Sequence, residues 1–264
     1  MWRLPIAALL LLGPGCSPAT SSETPAGDSM LFIGNSLTYT NDLPAMVGQV
    51  ADAAGRSVRV GMAAGPNMAV IDHTVVGSDA IARIGVRDWA YVVLQQGPTP
   101  PGICRDTLVI AAMRLAPRIR TAGGRPVLFL PWARRTVPQS LPWAGESATA
   151  AARAVGGAVA PVGIAWKNAL DRDSDLPLYG GDGYHPAPAG TLLAALTIYD
   201  RLSGTDVRTI PSSALSTIAG VSLARAQLEA MAVAAHAASV ELPADPVDPL
   251  PADTTNISTS GGPC

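Results

Sequence analysis

The chain has 264 residues, 18 Lys and Arg against 20 Asp and Glu for a formal net charge of −2, and a 48% share of hydrophobic residues. That length suits one sizeable α/β domain, and the apolar share argues against global disorder. Lys167 is the single lysine, so no basic run exists to track a phosphate backbone, which argues against nucleic acid as a partner.

Met1-Trp2-Arg3 followed by the apolar stretch from Leu4 to Leu12 has the form of a signal peptide, too short to span a bilayer as a stable helix. Gly13-Pro14-Gly15-Cys16 then places a cysteine where a bacterial lipoprotein signal carries its modified residue. The expected arrangement is a leader over 1–16, a Ser, Thr and Pro-rich tether over 17–29 and a domain over 30–240. Cys16 is the candidate lipid anchor to a bacterial cell envelope, and membrane contact is expected through that anchor alone. Secretion after cleavage near the same place is the alternative.

Between residues 30 and 205 short apolar runs alternate with helix-period segments, which predicts βαβ units and a parallel sheet. The candidate strands are 30–33, 58–62, 90–94, 126–130 and 158–162. Gly34-Asn35-Ser36 follows the first at once. Such a turn commonly caps a helix, and it is also a place where a nucleophile is held rigidly beside backbone N–H groups. Asp42 offers an N-cap and Pro44 a first-turn residue for a helix with Leu43, Met46, Val47, Val50 and Ala54 on one face, ended by Gly55. Further helices are expected over 107–122, 145–155, 164–170, 187–202 and 212–239, the last either whole or broken at Gly220. Residues 241–264, rich in Pro, Asp, Ser, Thr and Gly, read as a disordered tail.

In open parallel sheets ligands bind beyond the carboxyl ends of the strands. Ser36 follows the first strand, Gly65 the second, Gln95 the third, and Asp182-Gly183-Tyr184-His185 lies in the loop after the last. Ser36, His185 and Asp182 therefore read as a hydrolytic triad. A serine hydroxyl becomes a nucleophile when a neutral imidazole accepts its proton, and a carboxylate fixes that imidazole's tautomer. The spacing of Asp182 and His185 lets the carboxylate reach Nδ1 while Nε2 faces the serine. An Asx-turn role for Asp182 coexists with this one.

The three cysteines and three histidines have none of the spacings of zinc ligands, so no metal is expected, and triad chemistry needs no organic cofactor. Cys104 and Cys264 remain for a disulfide in an export compartment. His73 reads as a structural polar contact, and His236 as structural or surface. Trp132 and Arg134, with Arg135, follow the fourth strand and are candidates to stack on a sugar ring or fork onto a carboxylate. Loop solubility explains the arginines nearly as well. Tyr184, between the catalytic pair, is a further substrate-contact candidate.

Phe32-Ile33-Gly34-Asn35-Ser36-Leu37-Thr38, with Asn41-Asp42-Leu43-Pro44, resembles the first block of the SGNH/GDSL hydrolases, in the branch where Gly-Asn-Ser replaces Gly-Asp-Ser. Asp182-Gly183-Tyr184-His185-Pro186, leading into Ala189-Gly190, resembles the family's last block. Over residues 30–205 the resemblance implies a flavodoxin-like, three-layer α/β/α sandwich with a five-stranded parallel sheet. It implies Ser36 as nucleophile, His185 as general base and acid, Asp182 as the orienting carboxylate, and the Ser36 backbone with Gly65 at the oxyanion hole. The usual Gly-x-Asn-Asp third block is missing from Val92-Val93-Leu94-Gln95-Gln96-Gly97-Pro98-Thr99. A side-chain amide is expected to replace its asparagine, from Gln95 first, then Gln96 or Asn67; polar loop residues with no such role are the alternative.

The expected activity is hydrolysis of a small-molecule or polysaccharide ester through an acyl-enzyme, with acetyl on carbohydrate suggested by family analogy. Alternatives are a non-catalytic carbohydrate-binding protein on the same scaffold and a membrane-facing lipase or lysophospholipase. A nucleotide binder built on the Gly34 turn lacks a glycine-rich cradle. The sequence sets no oligomeric state.

Overall fold

The computed structural model describes residues 29–98, 102–218 and 220–242. The expected leader with Cys16, the tether up to residue 28, and the tail beyond 242 with Cys264 lie outside the described residues. Ser29 already belongs to the first strand.

Five strands form one all-parallel sheet: β1 (Ser29–Gly34), β2 (Arg59–Ala64), β3 (Tyr91–Gln95), β4 (Arg125–Phe129) and β5 (Ala158–Ala160). Their order is β2-β1-β3-β4-β5, the flavodoxin-like order that the family resemblance implies. Helices cover both faces, so the central strands read as continuous apolar runs rather than alternating ones. Successive side chains of β1 still go to opposite sides. Met30 and Phe32 join one core with α2 (Leu43–Ala53), α6 (Val162–Arg172), α7 (Pro188–Ser203) and α9 (Arg225–Glu241). Leu31 and Ile33 join the other, with α3 (Asp79–Val86), α4 (Ile103–Thr121) and α5 (Ser140–Val155). The short α1 (Ser36–Tyr39) and α8 (Ser212–Leu215) complete the set among the described residues.

Several boundaries differ from those the sequence predicts, each for a local reason. β5 stops at Ala160 because Pro161 has no N–H to continue a ladder. α5 begins at Ser140, with Pro142 in its first turn, where a missing N–H costs nothing. α4 begins at Ile103, four residues before the expected start. α3, absent from the sequence reading, buries only Ala80 and Ile84 and starts where the Ser78 hydroxyl accepts from Ile81 N at 3.3 Å. The segment expected over 212–239 is two helices, α8 and α9, parted by residues 216–224, where Gly220 takes φ +79°. Cys104, near the start of α4, is disulfide-bonded; the other two cysteines lie outside the described residues.

Gly190 lets α7 pack close to the loop before it. A Cβ there would lie 2.2 Å from Leu178 O and 2.4 Å from the Trp166 ring. Gly190→Ala is therefore expected to cost about 1–3 kcal/mol through overpacking, read as a lower urea midpoint with unchanged m. A wild-type midpoint would contradict this close packing.

Candidate active site

Ser36 opens α1 at the carboxyl end of the central strand β1, and each residue of Gly34-Asn35-Ser36 has a physical task. A Cβ on Gly34 would lie 2.5 Å from Thr38 Oγ1 and 2.6 Å from Gln95 Oε1, so only glycine fits. Asn35 caps the helix, accepting from Leu37 N at 3.1 Å, and donates Nδ2 to Met68 O at 3.0 Å. These bonds hold the turn while leaving the Ser36 N–H without an intramolecular acceptor among the described residues.

Asp182 and His185 come from the loop before α7. An antiparallel bridge between Tyr179 and Pro186, the bond from Gly180 N to His185 O at 2.7 Å and Gly183 at φ +66° shape this loop. One Asp182 oxygen, Oδ1, accepts from the backbone N–H groups of Tyr184 and His185, both at 2.9 Å; the other, Oδ2, lies 2.5 Å from His185 Nδ1. His185 Nε2 is 2.8 Å from Ser36 Oγ. The network assigns the proton to Nδ1, leaving Nε2 to accept from the serine hydroxyl. The bond from His185, followed by the two backbone N–H groups, holds the Asp182 carboxyl down at about 2. The Asp182 and His185 side chains are 51% and 37% exposed, so this chain of bonds lies on an open surface.

Two contacts from distant segments brace the loop. Asn41 donates Nδ2 to Pro186 O and to Thr191 Oγ1, both at 2.9 Å. It does so from a left-handed conformation, φ 56°, followed by Asp42 at φ 50°, whose carboxylate caps α2. Trp132 donates Nε1 to Tyr184 O at 2.9 Å and stacks on Trp166 with ring centroids 4.1 Å apart. Trp132 is 1% exposed, so it supports the loop from below and has no face to offer a sugar, contrary to the expectation for it. Arg134 instead covers the half-buried Tyr184 ring at 3.7 Å.

The glutamines are also used differently from the sequence expectation. Gln95 accepts at Oε1 from Asn35 N at 3.0 Å and Thr38 Oγ1 at 2.9 Å, pinning the Gly34-Asn35-Ser36 turn from beneath. Its Nε2 is buried without a partner among the described residues, so that amide does not reach the open surface in this conformation. Gln96 is engaged at both ends, by Val70 N at 3.4 Å and Cys104 O at 3.0 Å. Asn67 is exposed in the turn after β2, at φ 57°. Gly65 N donates to Gly34 O at 3.3 Å, a carbonyl that His73 Nε2 also holds at 2.9 Å. Burial lowers the His73 pKa, favouring the neutral ring that makes this structural contact.

Two further features lie away from the triad. A cavity of about 580 Å³ opens between α5 and α6, lined by Leu141, Gly145, Ile164, Trp166 and Tyr179 among others, and none of the triad residues lines it. Asp200, Asp206 and His236 bring three potential metal-donor atoms within 4.8 Å of one another. Each is already engaged: His236 Nδ1 lies 2.9 Å from Asp200, Val207 N donates to Asp200, and Arg208 forks onto Asp206. This cluster is about 18 Å along the α7 axis from the end that follows His185, and it ties α7 to α9.

No protein-family model and no curated protein matches the chain. Solved structures do. A protein from Slackia heliotrinireducens described as an SGNH hydrolase aligns with a TM-score of 0.57 and 24% identity, over 66% of this chain and 98% of its own. A DUF4886 family protein from Bacteroides uniformis aligns with a TM-score of 0.66 and 19% identity, over 81% and 95%. A protein from Parabacteroides merdae described as a GDSL-like lipase aligns at 0.52 and 14%, over 67% and 96%. The chain has the SGNH hydrolase fold, the one its first and last sequence blocks point to.

Proposed function

We propose that this protein is an SGNH-type serine esterase that removes a small acyl group through an acyl-enzyme, exported and held at the envelope by a lipid on Cys16. The observation that carries the esterase reading is the unbroken chain from Asp182 through His185 to Ser36. Ser36 Oγ attacks the ester carbonyl as its proton passes to His185 Nε2, and the ionised Asp182 stabilises the imidazolium. The alcohol leaves with the Nε2 proton, and water then cleaves the acyl-serine by the reverse proton path.

Ser36 N–H is one oxyanion donor. Gly65 N–H is the second, because its 3.3 Å bond to Gly34 O can be surrendered while His73 still holds that carbonyl. Gln95 acts indirectly, through the Asn35 peptide. A small acyl group is favoured because the triad is open and the large apolar cavity contains none of its residues.

Comparing p-nitrophenyl acetate with a long-chain p-nitrophenyl ester tests this reading. Faster turnover of acetate is expected. No turnover of either ester above background would sink the esterase reading, and faster turnover of the long chain would favour a lipase. A mature N-terminal peptide found unmodified across Cys16 would remove the anchor.

Asn41 is expected to position His185 through Pro186. Asn41→Ala loses two hydrogen bonds and places alanine at positive φ, whereas Asn41→Gly loses the bonds without the strain. Both variants are expected to lower kcat by about tenfold with KM little changed, and only the alanine variant to lose marked stability. Full kcat in Asn41→Gly would assign Asn41 to folding alone.

A further inference from the structure

Two arginines on the catalytic edge have no carboxylate partner. Arg134 and Arg135 follow β4, and among the described residues no ion pair reaches either, as is true of several other surface arginines such as Arg87 and Arg118. Asp182, the carboxylate of the neighbouring turn, is taken by His185 and two backbone N–H groups.

Both guanidinium groups are nonetheless held in place. Arg134 lies 3.7 Å over the Tyr184 ring and is fixed by an antiparallel bridge to Val137. Arg135 lies 4.9 Å over Tyr179, and its backbone N donates to Gly183 O at 2.9 Å, inside the catalytic turn. The Arg134 guanidinium also hydrogen-bonds the Tyr184 side chain, which occupies part of its donor set and leaves its other N–H groups for a ligand, and a stacked group loses less freedom when it binds. Solvation alone accounts for an exposed arginine. It does not account for two neighbours stacked on two tyrosines around the turn that carries His185.

We propose that Arg134 and Arg135 receive a carboxylate carried by the substrate on the alcohol side of the scissile ester, so that the site favours acyl groups borne by an acidic sugar such as a uronate. This rests on the esterase reading and adds its substrate class. The alcohol departs past His185, which protonates it. The Tyr184 ring lies 5.0 Å from the His185 ring, so the Arg134 guanidinium and the imidazole are at most the sum of the two centroid distances apart. A paired fork of N–H donors suits a planar carboxylate.

The test compares an O-acetylated glucuronoside with its glucuronamide, which keeps the sugar and removes the charge. The acid form is expected to have a kcat/KM higher by on the order of 10- to 100-fold, carried by KM, as charge-assisted hydrogen bonds allow. The ratio is expected to shrink at high salt and to fall towards one when Arg134→Gln and Arg135→Gln are combined. Equal kcat/KM for the two sugars in the wild-type enzyme overturns the proposal.

Calorimetric binding of the same two sugars to Ser36→Ala separates this outcome from failure of the esterase reading. Tighter binding of the acid form, without p-nitrophenyl acetate turnover by the wild type, keeps the anion site and discards the esterase. Equal binding discards the anion site whatever the turnover. Binding to phosphatidylserine vesicles without discrimination between the sugars also overturns it, in favour of a membrane surface.

Discussion

Replacement of Ser36 by alanine is expected to lower kcat for p-nitrophenyl acetate by about ten-thousandfold to a millionfold, the range over which a serine nucleophile and its base act as one unit. The fold is expected to survive almost unchanged. The Ser36 hydroxyl makes one described side-chain bond, to His185 Nε2 at 2.8 Å, and the turn around it is held by Asn35, Gly34 and Gln95 instead. Loss of that bond costs about 0.5–1.5 kcal/mol at most, so the thermal midpoint should move by only a few degrees. The measurement is steady-state kinetics beside a melting curve. Substantial turnover by a folded Ser36→Ala protein would move the nucleophile elsewhere.

Asp182→Asn is expected to lower kcat by about a thousandfold to ten-thousandfold, with KM little changed. The asparagine carbonyl oxygen can still accept from Tyr184 N and His185 N, as Asp182 Oδ1 does, so the loop should keep its shape. The other amide atom is a donor where Asp182 Oδ2 was an acceptor. It drives the imidazole to the tautomer with its proton on Nε2, which cannot accept from Ser36. Turnover within tenfold of wild type would leave Asp182 with only its turn-forming role.

The same substitution has a pH signature. The Asp182 carboxyl is depressed from 3.8 to about 2 by its bond to His185 and then by two backbone N–H groups. A depressed carboxyl stabilises the native state above its unfolded pKa, and that contribution is lost as pH falls through the folded value. The wild-type protein should therefore lose this contribution between about pH 4 and pH 2, and Asp182→Asn should lack that component. Melting curves across that interval measure it. Asp182 remains ionised throughout the neutral range, so its own titration should not limit activity there.

The turn at Ser36 and the loop of Asp182 and His185 were legible in the sequence because each is local. Gly34, Asn35 and Ser36 make a strand-to-helix turn from contiguous residues, and Asp182 reaches both His185 and its own turn across three positions. The sheet was legible for a similar reason, since apolar runs alternating with helical periods specify a buried parallel strand and its crossover. Edges of elements were less so. α3 leaves little signal in the sequence because only Ala80 and Ile84 anchor it, too few to mark a period.

The roles of the polar and aromatic residues near the triad were not legible. Gln95 and Gln96 look alike in sequence, yet one pins Asn35 from sixty positions away while the other closes onto Cys104. Trp132 looks like a sugar platform beside the arginines, and burial against Trp166 makes it a support for Tyr184 O, fifty-two positions distant.

Backbone turns and alternation depend on φ, ψ and neighbours a few residues apart, and so the chain encodes the Ser36 turn, the Asp182 and His185 loop and the layered sheet in contiguous letters. Burial and the pairing of a side-chain amide depend on which segments fold against each other. That is why the donor atoms left beside Ser36, and the two unpaired arginines stacked over Tyr184 and Tyr179, emerge only when β1, β3, β4 and the loop before α7 meet at one edge.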